Sequence, residues 1–254
     1  MNDIYTDIKG EGYPLVLVHG YFGSSNMWCN QKKTFSKHFK VITPSLPGYG
    51  ESYRLKSLNN IKDMAEAIIK ITKKNNVNKF HLMGHSMGGM IVQEIVKISP
   101  KIVDKLILFG TGSIGDIPGR FEPIDVSRER LKKDGVKSTA NRIAKTWFVD
   151  GDEAKNFYLC EEAYQNVNQE TGDCGLVAMK NWKGIENLKD INQETLIIWG
   201  NLDKAYNYEQ VKTLNENIKN SRLEIIDGCS HNAHLEKIDE FNSLVLNFLG
   251  NNLK

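Results

Sequence analysis

Six short apolar runs, closed by Gly, Pro, Asn or Asp and mostly separated by longer amphipathic stretches, predict an α/β fold. The runs lack polar alternation, which is how strands of a parallel sheet read when helices cover both faces. The expected architecture is therefore a mostly parallel central sheet flanked by helices.

A weaker antiparallel strand is expected near residues 4–8, followed by Leu15–His19 (LVLVH) and Val41–Pro44 (VITP). Ile61–Lys73 places Ile61, Met64, Ala65, Ile68 and Ile69 at helical spacing. After the run Phe80–Met83 (FHLM), a helix beginning near Gly89 carries Ile91, Ile95 and Ile98 on one face and stops before Pro100. The run Leu106–Phe109 (LILF) ends the first half of the sheet. The second half comprises Leu196–Trp199 (LIIW), a helix at Tyr208–Asn217, Leu223–Ile226 (LEII) and a closing helix at Glu236–Leu249.

Between LILF and LIIW the rhythm breaks. Residues 113–192 hold no clear buried strand and read as an insertion of several helices with an apolar face that includes Leu131, Ile143, Trp147, Phe148, Phe157 and Trp182. This divides the chain into a core of 1–112 and 193–254 and a helical cap of 113–192. Most of the aromatics are expected to pack the insertion onto the core. Trp147 and Phe148 are the candidates for lining a substrate pocket.

The 254 residues are 40% apolar and 25% charged with a net charge of +2, ordinary values for a globular chain that exclude disorder and fibrous structure. Thirty-three basic residues against 31 acidic ones, mixed along the chain, leave no footprint for nucleic acid. A mean hydropathy of −0.42 and the lack of a long apolar run exclude a spanning helix. Residues 1–12 do not read as a secretory signal, so the cytoplasm is the expected location. Cys29, Cys160, Cys174 and Cys229 show no metal-ligand or redox spacing and are expected as reduced thiols, with no metal.

The chemistry concentrates at strand ends. Gly84-His85-Ser86-Met87-Gly88 lies between a strand and a helix, a G-x-S-x-G sequence whose glycines let a strained turn push the serine hydroxyl into the open. The motif alone is common; its strand–turn–helix placement is specific. A serine hydroxyl needs a base oriented by an acid. The loop after LIIW supplies Asp203, and the loop after LEII (Asp227-Gly228-Cys229-Ser230-His231) supplies an imidazole, both at the same sheet edge as Ser86.

With these residues the chain resembles the capped branch of the α/β-hydrolase superfamily over nearly its whole length. The matching features are His19–Ser25 (HGYFGSS), Pro47–Ser52 (PGYGES), Gly84–Gly89 (GHSMGG), Asp203 and Gly228–Glu236 (GCSHNAHLE). The resemblance implies a cap inserted after the sixth strand, a triad of Ser86, Asp203 and His231, and an oxyanion hole from the amides of Met87 and Tyr21, with Phe22 the lesser candidate. It implies a structural part for His19 and His85. His234 is the rival base and Asp116 the rival acid. Ser230 stands where glycine is usual before the histidine.

A serine nucleophile points to acyl transfer without a cofactor, and against relatives on this fold that use aspartate at that position. The expected activity is hydrolysis of a small carboxylic ester or lactone. The alternatives are a carbon–carbon bond hydrolase of ring-cleavage diketones, an enol-lactonase, and a non-catalytic ligand receptor. The oligomeric state stays open. Arg120, Arg128, Arg130 and Arg142 lie in the first part of the insertion, where one of them could hold a substrate carboxylate; paired with neighbouring acids, they would do nothing of the kind.

Overall fold

The computed structural model describes residues 3–250, so the outermost residues of the core division lie outside the described part. The core strands are β1 (Thr6–Lys9), β2 (Pro14–Val18), β3 (Lys40–Pro44), β4 (Phe80–His85), β5 (Val103–Phe109), β6 (Glu194–Gly200) and β7 (Ser221–Ile226). They form one sheet in the order β1-β3-β2-β4-β5-β6-β7. Only β1 runs antiparallel, pairing Thr6 with Pro44 and Lys9 with Val41; the other pairings are parallel. Parallel strands end at one edge, so the loops after β2, β4, β6 and β7 meet there.

Helices α1 (Cys29–Phe35), α2 (Ile61–Lys74), α3 (Met87–Ile98), α7 (Tyr208–Asn217), α8 (Ala233–Glu236) and α9 (Ile238–Leu249) belong to the core, and α4 (Ile124–Lys145), α5 (Tyr158–Tyr164) and α6 (Gln169–Asn181) to the segment between β5 and β6. Alternation along β2 divides the interior. Leu15 and Leu17 join the apolar cluster containing Phe35 of α1 and Phe241 and Val245 of α9. Val16 and Val18 join the cluster containing Ile68 of α2 and Ile91 of α3, which runs on into Leu131, Ile143 and Leu176 of the inserted helices.

Four expectations are corrected. The inserted helices follow the fifth strand of the described residues, because a single antiparallel strand, β1, precedes the parallel ones; a place after the sixth strand would need another. Strand β7 is an edge strand bonded only to β6, so Ile225 is 43% exposed and the run is not covered on both faces. The last helix is interrupted at Lys237, which leaves the helical region with φ −122° and ψ 56°. Helix α3 begins at Met87, directly after Ser86. Within the insertion, α4 breaks at Gly135, where φ 79° and ψ 173° suit glycine alone.

Candidate active site

Ser86 sits at φ 56° and ψ −119° between β4 and α3. Its amide donates to the Phe109 carbonyl at 3.0 Å, and its carbonyl accepts from Gly89 N and Thr111 Oγ1, both at 2.8 Å. The flanking glycines make the turn possible: a Cβ at Gly84 would lie 2.3 Å from the Gly88 carbonyl oxygen, and one at Gly88 2.3 Å from that of Val18. Ser86 stands at the N-terminus of α3, the positive end of the helix dipole.

Asp203 follows β6 in a turn closed by its amide on the Gly200 carbonyl at 3.0 Å. One carboxylate oxygen, Oδ1, accepts from the amides of Ala205 (2.6 Å) and Tyr206 (3.1 Å). The other, Oδ2, stands 2.8 Å from His231 Nδ1. A carboxylate there fixes the proton on Nδ1 and leaves Nε2 as the basic nitrogen. Both side chains are fully buried. Nε2 of His231 makes no hydrogen bond, and the ring shares a narrow cavity of about 10 Å³ with Ser86, Tyr21, Trp147, Trp28 and Asn232. That is room for about one water.

Asp116 and His234, the rival acid and base, take no part in this hydrogen-bonded pair. Asp116 is exposed, in a stretch fastened by the bridge between Ile114 and Lys183. His234 is buried among the rings of Trp28 (5.0 Å), His85 (5.1 Å) and Phe109 (5.3 Å), and burial pushes its pKa down to about 3. His19 holds its turn: Nδ1–H donates to the Gly20 carbonyl at 2.8 Å and Nε2 accepts from Leu46 N at 2.9 Å. Burial lowers its pKa to about 4, so it is neutral. His85 Nε2–H donates to the main-chain carbonyl of His231 at 3.1 Å, fixing the His231 loop.

Ser230, the departure from glycine, is absorbed by the structure. Its hydroxyl lies 3.2 Å from the carbonyls of both Thr146 and Leu202, joining the histidine loop to the inserted segment and to the Asp203 turn. Glu236 closes the same junction, its carboxylate accepting from Ser230 N at 2.7 Å and Val149 N at 2.8 Å. Asn232 N donates to the Trp147 carbonyl at 2.9 Å, which sets the Trp147 ring 6.0 Å from that of His231. Phe148 is not brought to this cavity. It packs on Phe157 at 5.7 Å and borders a separate surface cleft.

For the oxyanion hole, the amides of Tyr21 and Phe22 are taken up by no acceptor among the described residues, and Phe22 has a φ of 54°. The Tyr21 side chain has a separate task, its hydroxyl donating to the Gly172 carbonyl of α6 at 2.9 Å. Tyr206 was not singled out from the sequence. Its ring stacks on His231 at 5.7 Å with planes 15° apart. Its hydroxyl lies beside those of Ser86 and Thr111, and burial pushes its pKa up to about 12. The only signal was proximity, three residues past the acid.

All four cysteines are free thiols. Among the described residues no three His, Cys, Asp or Glu side chains converge as metal ligands, and no helix is long and apolar enough to cross a membrane.

Comparison with known proteins bears on the family and the fold. The family model described as the alpha/beta hydrolase fold matches residues 13–238. The 2-hydroxy-6-oxononadienedioate/2-hydroxy-6-oxononatrienedioate hydrolase 1 of Pseudomonas putida is 28% identical, the match covering 98% of this chain and 92% of that protein. The pimeloyl-[acyl-carrier protein] methyl ester esterase of Nitrosospira multiformis is 25% identical over 96% of this chain and 97% of its own. The enol-lactonase of Burkholderia xenovorans LB400 superposes with a TM-score of 0.88 at 19% identity, over 97% of this chain and 96% of that one. With a family model spanning most of its length, a nearly all-parallel sheet and hydrolases as relatives, the chain belongs to the α/β-hydrolase fold family.

Proposed function

We propose that the chain is a serine hydrolase that cleaves a small carboxylic ester or lactone through an acyl-enzyme. The observation that carries this reading is the His231 imidazole, held through Nδ1 by a buried carboxylate 2.8 Å away, its Nε2 free of any hydrogen bond among the described residues and its ring lining the same cavity as Ser86. As substrate arrives, the Ser86 hydroxyl leaves the Tyr206 phenol and gives its proton to His231 Nε2 while Oγ attacks the carbonyl carbon. The carbonyl oxygen gains charge and is met by the amides of Met87 and Tyr21. His231 then protonates the departing alkoxide, and a water activated by the same nitrogen releases the acid. Asp203 keeps Nδ1 protonated and favours the transient imidazolium.

In this reading residues 113–192 act as a cap. Trp147 is the cap side chain at the reacting atoms, and the narrowness of the cavity favours a small group on that side of the carbonyl. Esterase and lactonase activities among the similar chains suit the same carbonyl chemistry.

The test is labelling by a fluorophosphonate together with turnover of nitrophenyl esters from acetate to laurate, several lactones and a ring-cleavage diketone. Labelling at Ser86 with serine-dependent turnover of short esters or lactones is expected. Turnover of the diketone alone would replace this reading with carbon–carbon hydrolysis, and absence of labelling would remove the serine mechanism.

A further inference from the structure

The four arginines of the first inserted residues divide three to one. Arg128 grips Asp173 with two bonds of 2.7 and 3.0 Å. Arg142 grips Glu122 with bonds of 2.8 and 3.0 Å, and Arg130 reaches the same carboxylate at 3.2 Å. Arg120 forms no ion pair among the described residues. Its guanidinium has one hydrogen bond, from Nη1 to the main-chain carbonyl of Glu122 at 3.3 Å, and lies 5.3 Å from the centre of the Phe121 ring.

Its place in the fold is next to the candidate active site. The connection from β5 to α4 starts where Thr111 bonds the Ser86 carbonyl. It later passes Asn207, whose side-chain nitrogen would lie 4.0 Å from a Cβ on Gly119. Asn207 adjoins Tyr206, the residue stacked on His231. Burial pushes the pKa of Arg120 down, against the pull of the Tyr206 and Tyr21 phenols and the Glu122 and Asp116 carboxylates that surround it. Neither phenol neutralises it, since burial keeps both protonated. Glu122 already serves two other arginines.

Arg120 is partly buried, and a partly desolvated guanidinium without a counter-ion costs free energy that an anionic ligand would recover. Its planar fork of donors matches a carboxylate. We infer that Arg120 binds a carboxylate carried by the substrate, so that the preferred substrates are carboxylate-bearing esters or lactones, such as monoesters of dicarboxylic acids. The scissile carbonyl lies at Ser86 and the free carboxylate is directed to the β5–α4 connection. This deepens the serine hydrolase reading and rests on it.

The experiment compares 4-nitrophenyl hydrogen adipate with 4-nitrophenyl hexanoate in the wild type, Arg120→Gln, Arg120→Lys and Arg222→Gln, the last an exposed arginine at the opposite edge of the sheet. A charge-assisted bond of this kind supports a preference of about 10- to 100-fold. The ratio of kcat/KM for the anionic over the neutral ester is expected to fall by that factor in Arg120→Gln, mostly through KM. Arg120→Lys should recover part of it, and Arg222→Gln should leave the ratio at the wild-type value. In Ser86→Ala, adipate should quench or shift tryptophan fluorescence with saturation, and the added Arg120→Gln change should abolish it. An unchanged ratio in Arg120→Gln, equal losses on both esters, or no saturable adipate response would overturn the assignment. The adipate titration needs no turnover. Failure of Ser86 labelling alongside normal adipate binding would therefore remove the hydrolase reading and leave the anion site standing.

Discussion

The sheet and the helical segment between β5 and β6 are built on different terms. In the sheet, position along a strand decides which apolar cluster a side chain enters, and the loops at one edge are locked by main-chain bonds such as Ser86 N to Phe109 O and Leu202 N to Cys229 O. In the inserted segment the longest helix is broken at Gly135, and much of the polar structure is carboxylate–arginine pairing around Glu122 and Asp173. The sheet thus supplies fixed positions for reacting groups. The inserted segment meets it through a few identifiable bonds, and there side-chain pairing decides what is left available, as with Arg120.

The comparison is broken most severely at the sheet edge. Ser86→Ala and His231→Ala are each expected to lower kcat by roughly 10⁴-fold or more with little change in folding, as members of one catalytic unit do. Asp203→Asn should cost less, roughly 10² to 10⁴-fold, because stacking on Tyr206 and contact with His85 still place the ring. His234→Ala should reduce stability while sparing the acid limb of the pH–rate profile. Loss of that limb in His234→Ala, with His231→Ala active, would exchange the two histidines.

In the inserted segment the largest expected effect is on stability. Glu122 is 7% exposed and holds Arg142 and Arg130, so Glu122→Ala leaves two guanidinium groups facing one another. Breaking such a buried arrangement costs roughly 3 kcal/mol, the lower end of the usual range because both arginines are partly solvated. Urea unfolding measures it; a loss below about 0.5 kcal/mol would place the charges in the class of solvated surface pairs.

These regions also differ in how far the sequence reveals them. The strands were legible because burial on both faces removes polar alternation, and the reactive loops because glycine and proline mark strand ends. Ser86, Asp203 and His231 are proposed from chain order, and the structure sets their loops at one edge. The edge exposure of β7 was barely legible, since in LEII only Glu224 interrupts an apolar run and it is topology that assigns the strand an outer place. Phe148 and Trp147 are adjacent and equally aromatic; the bond from Asn232 to the Trp147 carbonyl determines which one reaches the cavity. Tyr206 and the isolation of Arg120 depend on contacts between distant segments, which no local pattern records.

The sheet carries a buried histidine, a kind of pH-sensitive element that residues 113–192, which hold no histidine, lack. His81 on β4 is wholly buried between the rings of Tyr13 (4.6 Å) and Phe39 (6.0 Å), and burial lowers its pKa from 6.5 to about 4. Between pH 6.5 and 4 the unfolded chain binds a proton at this residue that the folded chain does not. Its contribution to stability is therefore full above pH 6.5 and declines as the pH falls, by up to about 1.4 kcal/mol per unit. His81→Phe keeps the aromatic packing and removes the proton, so its unfolding free energy should fall less steeply over that window. Parallel pH dependences for wild type and variant would show that His81 is not a source of the acid sensitivity.

The smallest expected effect lies at the seam between the two regions. Ser57 Oγ and Thr171 Oγ1 are 2.5 Å apart and buried, joining the loop before α2 to the start of α6, close to the bond from Tyr21 to Gly172. Ser57→Ala leaves the Thr171 hydroxyl without this partner, at a cost of about 1 kcal/mol or somewhat more. Because the sheet retains its own ladders, the loss should be felt as easier opening of the inserted segment rather than as uniform weakening. Limited proteolysis separates the outcomes. Faster cleavage within residues 113–192, at a nearly unchanged global unfolding midpoint, is the result expected of a seam between separately stabilised parts. Cleavage distributed over the whole chain in proportion to the fall in midpoint would mean that sheet and insertion unfold as one unit, as the apolar cluster running through both would then require.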